Sequence, residues 1–173
     1  MSVRRARPGD ADAVARVHVQ AWREAYLDLL PHDVIASRTL EARRALWRAV
    51  IETQDEDTPV FVGEAEGEVA AFGKAGPQRT EALRTMGHTG EIWSLYALRA
   101  AHGRGLGRAL MEAMLDALAA RGHASAALWV LASSPSRGFY RHLGGTEVLE
   151  GEDAPGGAKE VALAFDLGAR SAD

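Results

Sequence analysis

From Glu91 to Arg121 the chain reads EIWSLYALRAAHGRGLGRALMEAMLDALAAR. No other stretch limits the possible folds as sharply. Ile92, Trp93, Leu95 and Tyr96 are strand formers in a short apolar run. His102-Gly103-Arg104-Gly105-Leu106-Gly107 then sets a glycine at every second position, where the backbone can take positive φ or approach a ligand closely. Leu106, Leu110, Met114, Ala117 and Leu118 recur at helical spacing, and Gly122 is placed to end that helix. The pattern predicts a strand, a glycine turn and a helix. Such a turn leaves the first N–H groups of the helix without partners at the positive end of its dipole, an arrangement suited to phosphate. Arg104 and Arg108 add positive charge beside it. The glycines alone also allow a tight turn with no ligand.

Composition narrows the class of protein. At 173 residues the chain reads as one domain, residues 1–173, with enough length to bury a core. Hydrophobic residues are 47 % and charged residues 25 %, values of a soluble globular chain. The net charge of −4 argues against general binding to nucleic acid or to a membrane surface. The absence of cysteine excludes disulfides, thiolate catalysis and Cys-based metal sites. The histidines are scattered, with no HExxH pattern, so no metal is expected. The N-terminus lacks the apolar segment of a signal peptide, and a cytoplasmic location is the expectation.

Three glycine-loop patterns compete for the phosphate reading. GxxxxGK[ST] is absent, because no Lys-Ser/Thr pair follows. GxGxxG fails because the third glycine comes one residue early, and no acidic residue stands about 20 residues on. The loop does resemble that of the GNAT acetyltransferases, Arg/Gln-x-x-Gly-x-Gly/Ala, through His102-x-x-Gly105-x-Gly107. His102 departs from the usual Arg or Gln. Leu95-Tyr96-Ala97 precedes the loop at the family's spacing. Ser134-Pro135 and Phe139-Tyr140-Arg141-His142-Leu143-Gly144-Gly145 resemble the family's Asn-Pro … Phe-Tyr-x-x-x-Gly-Phe ending, with Gly145 where Phe is usual. The resemblance covers most of the second half of the chain.

The rest of the chain fits between these landmarks. Ser2–Arg7 is a candidate strand, and a helix runs to about Tyr26 with Val14, Val17, Ala21, Trp22, Ala25 and Tyr26 on one face. Asp33–Ala36 is a short helical turn. Leu40–Ile51 is a second helix, with Leu46, Trp47 and Val50 inward and Arg43, Arg44 and Arg48 on a solvated face. Val60–Glu64 and Val69–Gly73 form a hairpin about Glu66-Gly67. Residues 76–90 are a long irregular segment, a binding loop or a partly helical excursion. Ala124–Leu131 reads as a buried strand, Ser136–Leu143 as a helix, and Thr146–Leu149 and Glu160–Leu167 as the last strands. Periodicity alone gives an α/β or α+β chain with one sheet.

The resemblance implies more. The fold expected from it is the GNAT fold, α/β (mixed α+β), with a central mixed, mostly antiparallel sheet of six to seven strands and helices on both faces. The strands at Glu91–Leu98 and Ala124–Leu131 would splay, and acetyl-CoA, the implied cosubstrate, would lie between them. Leu95, Tyr96 and Ala97 would pair with pantetheine. His102, Gly103, Arg104, Gly105, Leu106, Gly107 and Arg108 would hold the pyrophosphate. Ser134 would bond the pantetheine arm or cap the following helix. Tyr140 would protonate the leaving thiolate, since a phenol stays protonated at neutral pH. Glu91 would act as general base or as a substrate ligand, its apolar neighbours raising its pKa. Trp22, Tyr26 and Glu91 would line the acceptor site. The acceptor would be a small-molecule amine or a peptide substrate, and the chain a monomer or homodimer. A catalytically inactive acetyl-CoA-binding regulator of the same fold is the alternative, which the departures at His102 and Gly145 permit.

Overall fold

The computed structural model describes residues 1–170. Seven strands form one sheet in the order β1-β2-β3-β4-β5-β7-β6. They are β1 (Ser2–Arg5), β2 (Val60–Ala65), β3 (Glu68–Pro77), β4 (Gly90–Ala97), β5 (Ser125–Leu131), β6 (Thr146–Ala154) and β7 (Ala158–Asp166). Six helices accompany them: α1 (Ala11–Tyr26), α2 (His32–Ala36), α3 (Leu40–Glu52), α4 (Glu81–Thr85), α5 (Leu106–Ala120) and α6 (Ser136–His142). All strand pairs are antiparallel except β4 with β5. This is the mixed, mostly antiparallel sheet that the family resemblance implied.

The parallel pair is the feature that makes a site. β4 is bonded to β3 along its whole length, from Pro77↔Gly90 to Ala71↔Ala97. It meets β5 only at Gly90↔Ala126 and Glu91↔Ala127, and the two strands then part. From Ile92 on, one edge of β4 has no strand beside it. Such an edge presents unpaired N–H and C=O groups. A bulge in the β3–β4 ladder, between Lys74↔Ser94 and Ala75↔Ile92, leaves Trp93 without an opposite number. Lys74 Nζ lies 4.9 Å and the Arg79 guanidinium 4.5 Å from its ring centroid.

Each face of the sheet is covered by helix. α5 buries Leu106, Leu110, Met111, Met114, Leu115 and Leu118. Met114 fits against Gly73, where a Cβ would come within 2.6 Å of its methyl carbon. The helix ends as its sequence predicts: Gly122 has φ +86°, its N–H bonds Ala119 O, and the His123 N–H bonds Leu118 O. On the other face α1 supplies Val14, Val17 and Trp22, and α3 supplies Trp47 and Ile51.

α3 differs from the sequence reading. Leu46 is exposed, and Arg43 and Arg44 are half-buried instead of standing on a solvated face. Arg43 precedes Trp47 by four residues and so shares its inward face. The irregular segment before β4 is partly helical, as α4. β6 and β7 run further than Thr146–Leu149 and Glu160–Leu167 suggested and close into a hairpin whose Gly156 packs on Pro31.

Candidate active site

Two cavities open beside the free edge of β4. One, of about 610 Å³, lies over the glycine loop and is lined by Gly103, Gly105, Leu106, Gly107 and Arg108, with Phe139 and Leu143 opposite. The other, of about 350 Å³, lies in the splay between β4 and β5 and includes Tyr26, Trp93, Ser94, Tyr96 and Trp129 in its wall. Leu95, Ala97, His102, Pro135, Ser136 and Tyr140 line both. The two spaces therefore meet along the end of β4, with Tyr140 at the junction.

The glycine-loop cavity is a backbone site. Gly103 and Gly105 have φ +72° and +82°, the left-handed region that favours glycine. Gly105 is the N-cap of α5 and offers no side chain to its first turn. The first N–H groups of the helix have no intrahelical acceptor, and their residues Leu106, Gly107 and Arg108 line the cavity at the positive end of the helix dipole. A Cβ on Gly107 would come within 3.3 Å of the Phe139 ring, which brings α6 close against the loop. These features suit a pyrophosphate, and Arg108 lines the space. Arg104 does not line it; the side chain turns to Glu66 at 2.9 Å. His102 is also turned inward, donating from Nε2 to Ala97 O at 3.0 Å. It ties the loop to the end of β4.

Tyr140 is 8 % exposed. Burial first, then the nearby Tyr26, holds its hydroxyl well above the ordinary tyrosine value. It stays protonated at neutral pH. Burial does the same to Tyr96, with Tyr26 next and Tyr140 also contributing. Tyr26, Tyr96 and Tyr140 thus form one hydroxyl cluster. Ser134 accepts the Ser136 N–H at 3.2 Å, the helix-capping role left open by the sequence. Where the family's ending has Phe, Gly145 is required: a Cβ would lie 2.8 Å from Phe165 and 2.9 Å from Tyr140 O. Phe165 fills that place from β7.

Glu91 and Trp22 stand elsewhere than expected. Glu91 is 4 % exposed and lines neither cavity. Its carboxylate accepts the Arg79 backbone N–H at 2.8 Å and the Arg79 Nε and Nη2 at 3.1 and 2.8 Å. It clamps the segment before α4 to β4. The apolar neighbours gave no sign of this. Trp22, 6 % exposed, stands behind Tyr26, with ring centroids 4.4 Å apart. Only Tyr26 of the pair reaches the cavity wall. Sequence reasoning missed Trp93 and Trp129 as lining residues. It also missed buried His18, which accepts the Trp47 indole N–H at 3.0 Å. Burial, then Arg43 and Arg38, pushes the His18 imidazolium down to about 4.

Comparison with known proteins identifies the family to which this splayed, seven-stranded fold belongs. The acetyltransferase (GNAT) family model matches residues 16–144. The chain is 32 % identical over 173 residues to the uncharacterized N-acetyltransferase YuaI of Bacillus subtilis (strain 168), covering 98 % of this chain and 95 % of that one. It therefore belongs to the GNAT acetyltransferase family. Among solved structures it is similar in fold to the PaiA N-acetyltransferase of Thermoplasma acidophilum in complex with coenzyme A. The TM-score there is 0.77 at 15 % identity, covering 95 % and 98 % of the two chains. It is also similar to the ribosomal-protein-alanine N-acetyltransferase of Brucella melitensis, with TM-score 0.71 at 21 % identity, covering 96 % and 99 %. Among the described residues no helix is long and apolar enough to cross a membrane.

Proposed function

We propose that the protein transfers the acetyl group of acetyl-CoA to a primary amine by direct attack within a ternary complex. The observation that carries this reading is the place of Tyr140, a buried hydroxyl at the junction of the two cavities. The first turn of α5 binds the pyrophosphate through backbone N–H groups, and the free edge of β4 at Leu95, Tyr96 and Ala97 pairs with pantetheine. The thioester then lies beside Tyr140. The amine approaches from the splay cavity.

The amine nitrogen forms a bond to the thioester carbon, the C–S bond breaks, and the thiolate takes a proton from Tyr140, which regains one from the water that receives the amine's N–H proton. The amine gives up one N–H proton. A lysine-like amine has a pKa near 10.4, so about one molecule in 10³ is neutral at pH 7. Glu24 is the carboxylate in the splay-cavity wall, and it is already engaged by the Arg99 backbone N–H at 2.7 Å and by Gln20 at 2.9 Å. Proton removal therefore runs through water in the open cavity, with no dedicated carboxylate base.

Initial rates of CoA release, measured while acetyl-CoA and amine are both varied, test this. Intersecting double-reciprocal lines and kcat/KM rising about tenfold per pH unit below the amine pKa are expected. Parallel lines would show an acyl-enzyme instead. Acetyl-CoA binding with no release across amino acids, polyamines, aminoglycosides and peptide N-termini would leave a binding protein in place of the enzyme.

A further inference from the structure

The two half-buried indoles in the wall of the splay cavity are seated alike. β4 and β5 are last paired at Glu91↔Ala127, and Trp93 and Trp129 stand two residues further along each parting strand. Ile92 and Leu128, one residue earlier in each case, pack into the core with α5. The indoles turn instead to the segment between β3 and α4. Trp93 Nε1 donates to Pro77 O at 3.0 Å, and Trp129 Nε1 donates to Thr80 Oγ1 at 3.0 Å. Arg79, between these two acceptors in the chain, is held by Glu91. Each ring also sits where a neighbouring strand has glycine. A Cβ on Gly76 of β3 would come within 2.6 Å of Trp93 Cζ2, and one on Gly151 of β6 within 3.0 Å of Trp129 Cζ3. An indole tied at its N–H and seated on glycine has little freedom left to lose when a ligand meets it.

Both indoles share their cavity with Tyr26 and Tyr140, and its volume of about 350 Å³ is that of a small-molecule site. Their N–H groups are committed to the protein, so the surface they offer a ligand is apolar and π in character. The same wall holds no isolated charge for a second ionic group. Glu24 and Arg99 belong to one contact: the Glu24 carboxylate accepts the Arg99 backbone N–H at 2.7 Å, and the Arg99 guanidinium donates to Glu24 O at 2.9 Å. Lys74 Nζ and the Arg79 guanidinium already lie over the Trp93 ring, so a second ammonium on the acceptor would meet positive charge there.

The geometry points to an acceptor that carries a single amine beside an aromatic ring, an arylalkylamine, with the ring against Trp93 and Trp129 and the amine towards Tyr140. This rests on the acetyl-transfer reading above and names its substrate class. An aromatic ring gains offset or edge contact with an indole beyond the area it buries. A short alkylamine leaves the indoles uncovered, and a diamine brings its second charge to Lys74 and Arg79.

The test compares phenethylamine with its saturated counterpart cyclohexylethylamine, with propylamine and with putrescine. The expected kcat/KM for phenethylamine is at least about tenfold above propylamine and putrescine, and about threefold above the cyclohexyl form. Equal or better use of any of the other three by the unaltered protein would overturn the proposal. In Trp93→Leu and Trp129→Leu the preference over propylamine should shrink to about threefold or less, as a raised KM for phenethylamine with acetyl-CoA affinity unmoved. Trp129→Phe, which keeps an aromatic wall, should retain part of it, and it decides the matter if a Leu variant fails to fold. A preference undiminished in the folded variants would overturn the role of the indoles. If acetyl-CoA binds but no amine releases CoA, the transfer reading fails, and the wall is read separately by calorimetric titration of phenethylamine into CoA-saturated protein. Binding that is weakened in the tryptophan variants would sustain the wall. Absence of binding, or binding undiminished in them, would overturn it.

Discussion

The cavity over the glycine loop and the cavity in the splay share the end of β4, but they are built in opposite ways. The first takes its wall from residues 95–143, a single strand–loop–helix run and the short α6. Its polar groups are largely main-chain N–H groups at the start of α5. The second gathers side chains from α1, β4, β5 and α6, with α2 and the β6–β7 hairpin packed behind. Its polar groups are hydroxyls, indoles and guanidinium groups. A backbone cradle recognises what every acetyl-CoA has in common. A side-chain wall can be rebuilt for another acceptor without disturbing the cradle. That is a physical reason for the motifs of the family to be legible in the second half of the chain and not in the first.

The largest effect should come from striking the cradle alone. Gly105→Asp puts a carboxylate at the N-cap of α5, at φ +82°, where the proposed pyrophosphate site lies. Acetyl-CoA affinity should fall on the order of 10³-fold, about 4 kcal/mol, in a calorimetric titration. Undiminished binding would remove the cofactor from this loop and dissolve the contrast between the two cavities.

The next prediction addresses the packing behind the splay cavity. The folded-state pKa of His18 lies near 4, below its ordinary value of 6.5. The unfolded chain therefore binds the proton more readily between these values. Stability is fully present above about pH 6.5 and is lost as pH falls through 4, by on the order of 3 kcal/mol for this one group. Denaturant melts across that window should lose much of their acid slope in His18→Gln, which keeps an acceptor for the Trp47 indole. An unchanged slope would mean that other groups set acid stability.

A smaller effect is expected at Glu91. Glu91→Gln keeps one acceptor oxygen but loses the charge that holds Arg79. It should destabilise the fold by about 2 kcal/mol while kcat stays within a few-fold. A hundredfold drop in kcat, with loss of the acidic limb of the pH–rate profile, would restore Glu91 as the base.

How much of this was legible follows the same division. The strand, glycine turn and helix were readable because neighbours in sequence decide them: apolar alternation, φ-permissive glycines, a helical stripe and a terminating Gly122. The splay was not readable from periodicity, since strand pairing is a long-range property, and it entered through the family resemblance. Glu91 misled because its chain neighbours are apolar while its actual partner, Arg79, comes from twelve residues earlier across the β3–β4 connection. Arg43 misled because a charged residue on a helix suggests solvent, although its four-residue spacing from Trp47 pointed inward. His18 gave no signal beyond lying one residue after Val17 on a helix whose buried face is wider than the stripe suggested. Arg38 and Trp22 meet only once α1 and the segment after α2 have packed together.

Tyr140 joins the two cavities, and its hydroxyl tests the account most directly. Tyr140→Phe removes one oxygen and leaves the ring. Steady-state CoA release and acetyl-CoA titration should be measured on this variant with the best acceptor found. The account predicts kcat lower by about 10²-fold with acetyl-CoA affinity changed by no more than about threefold. An unaltered kcat would contradict the role of Tyr140 as the acid that receives the leaving thiolate.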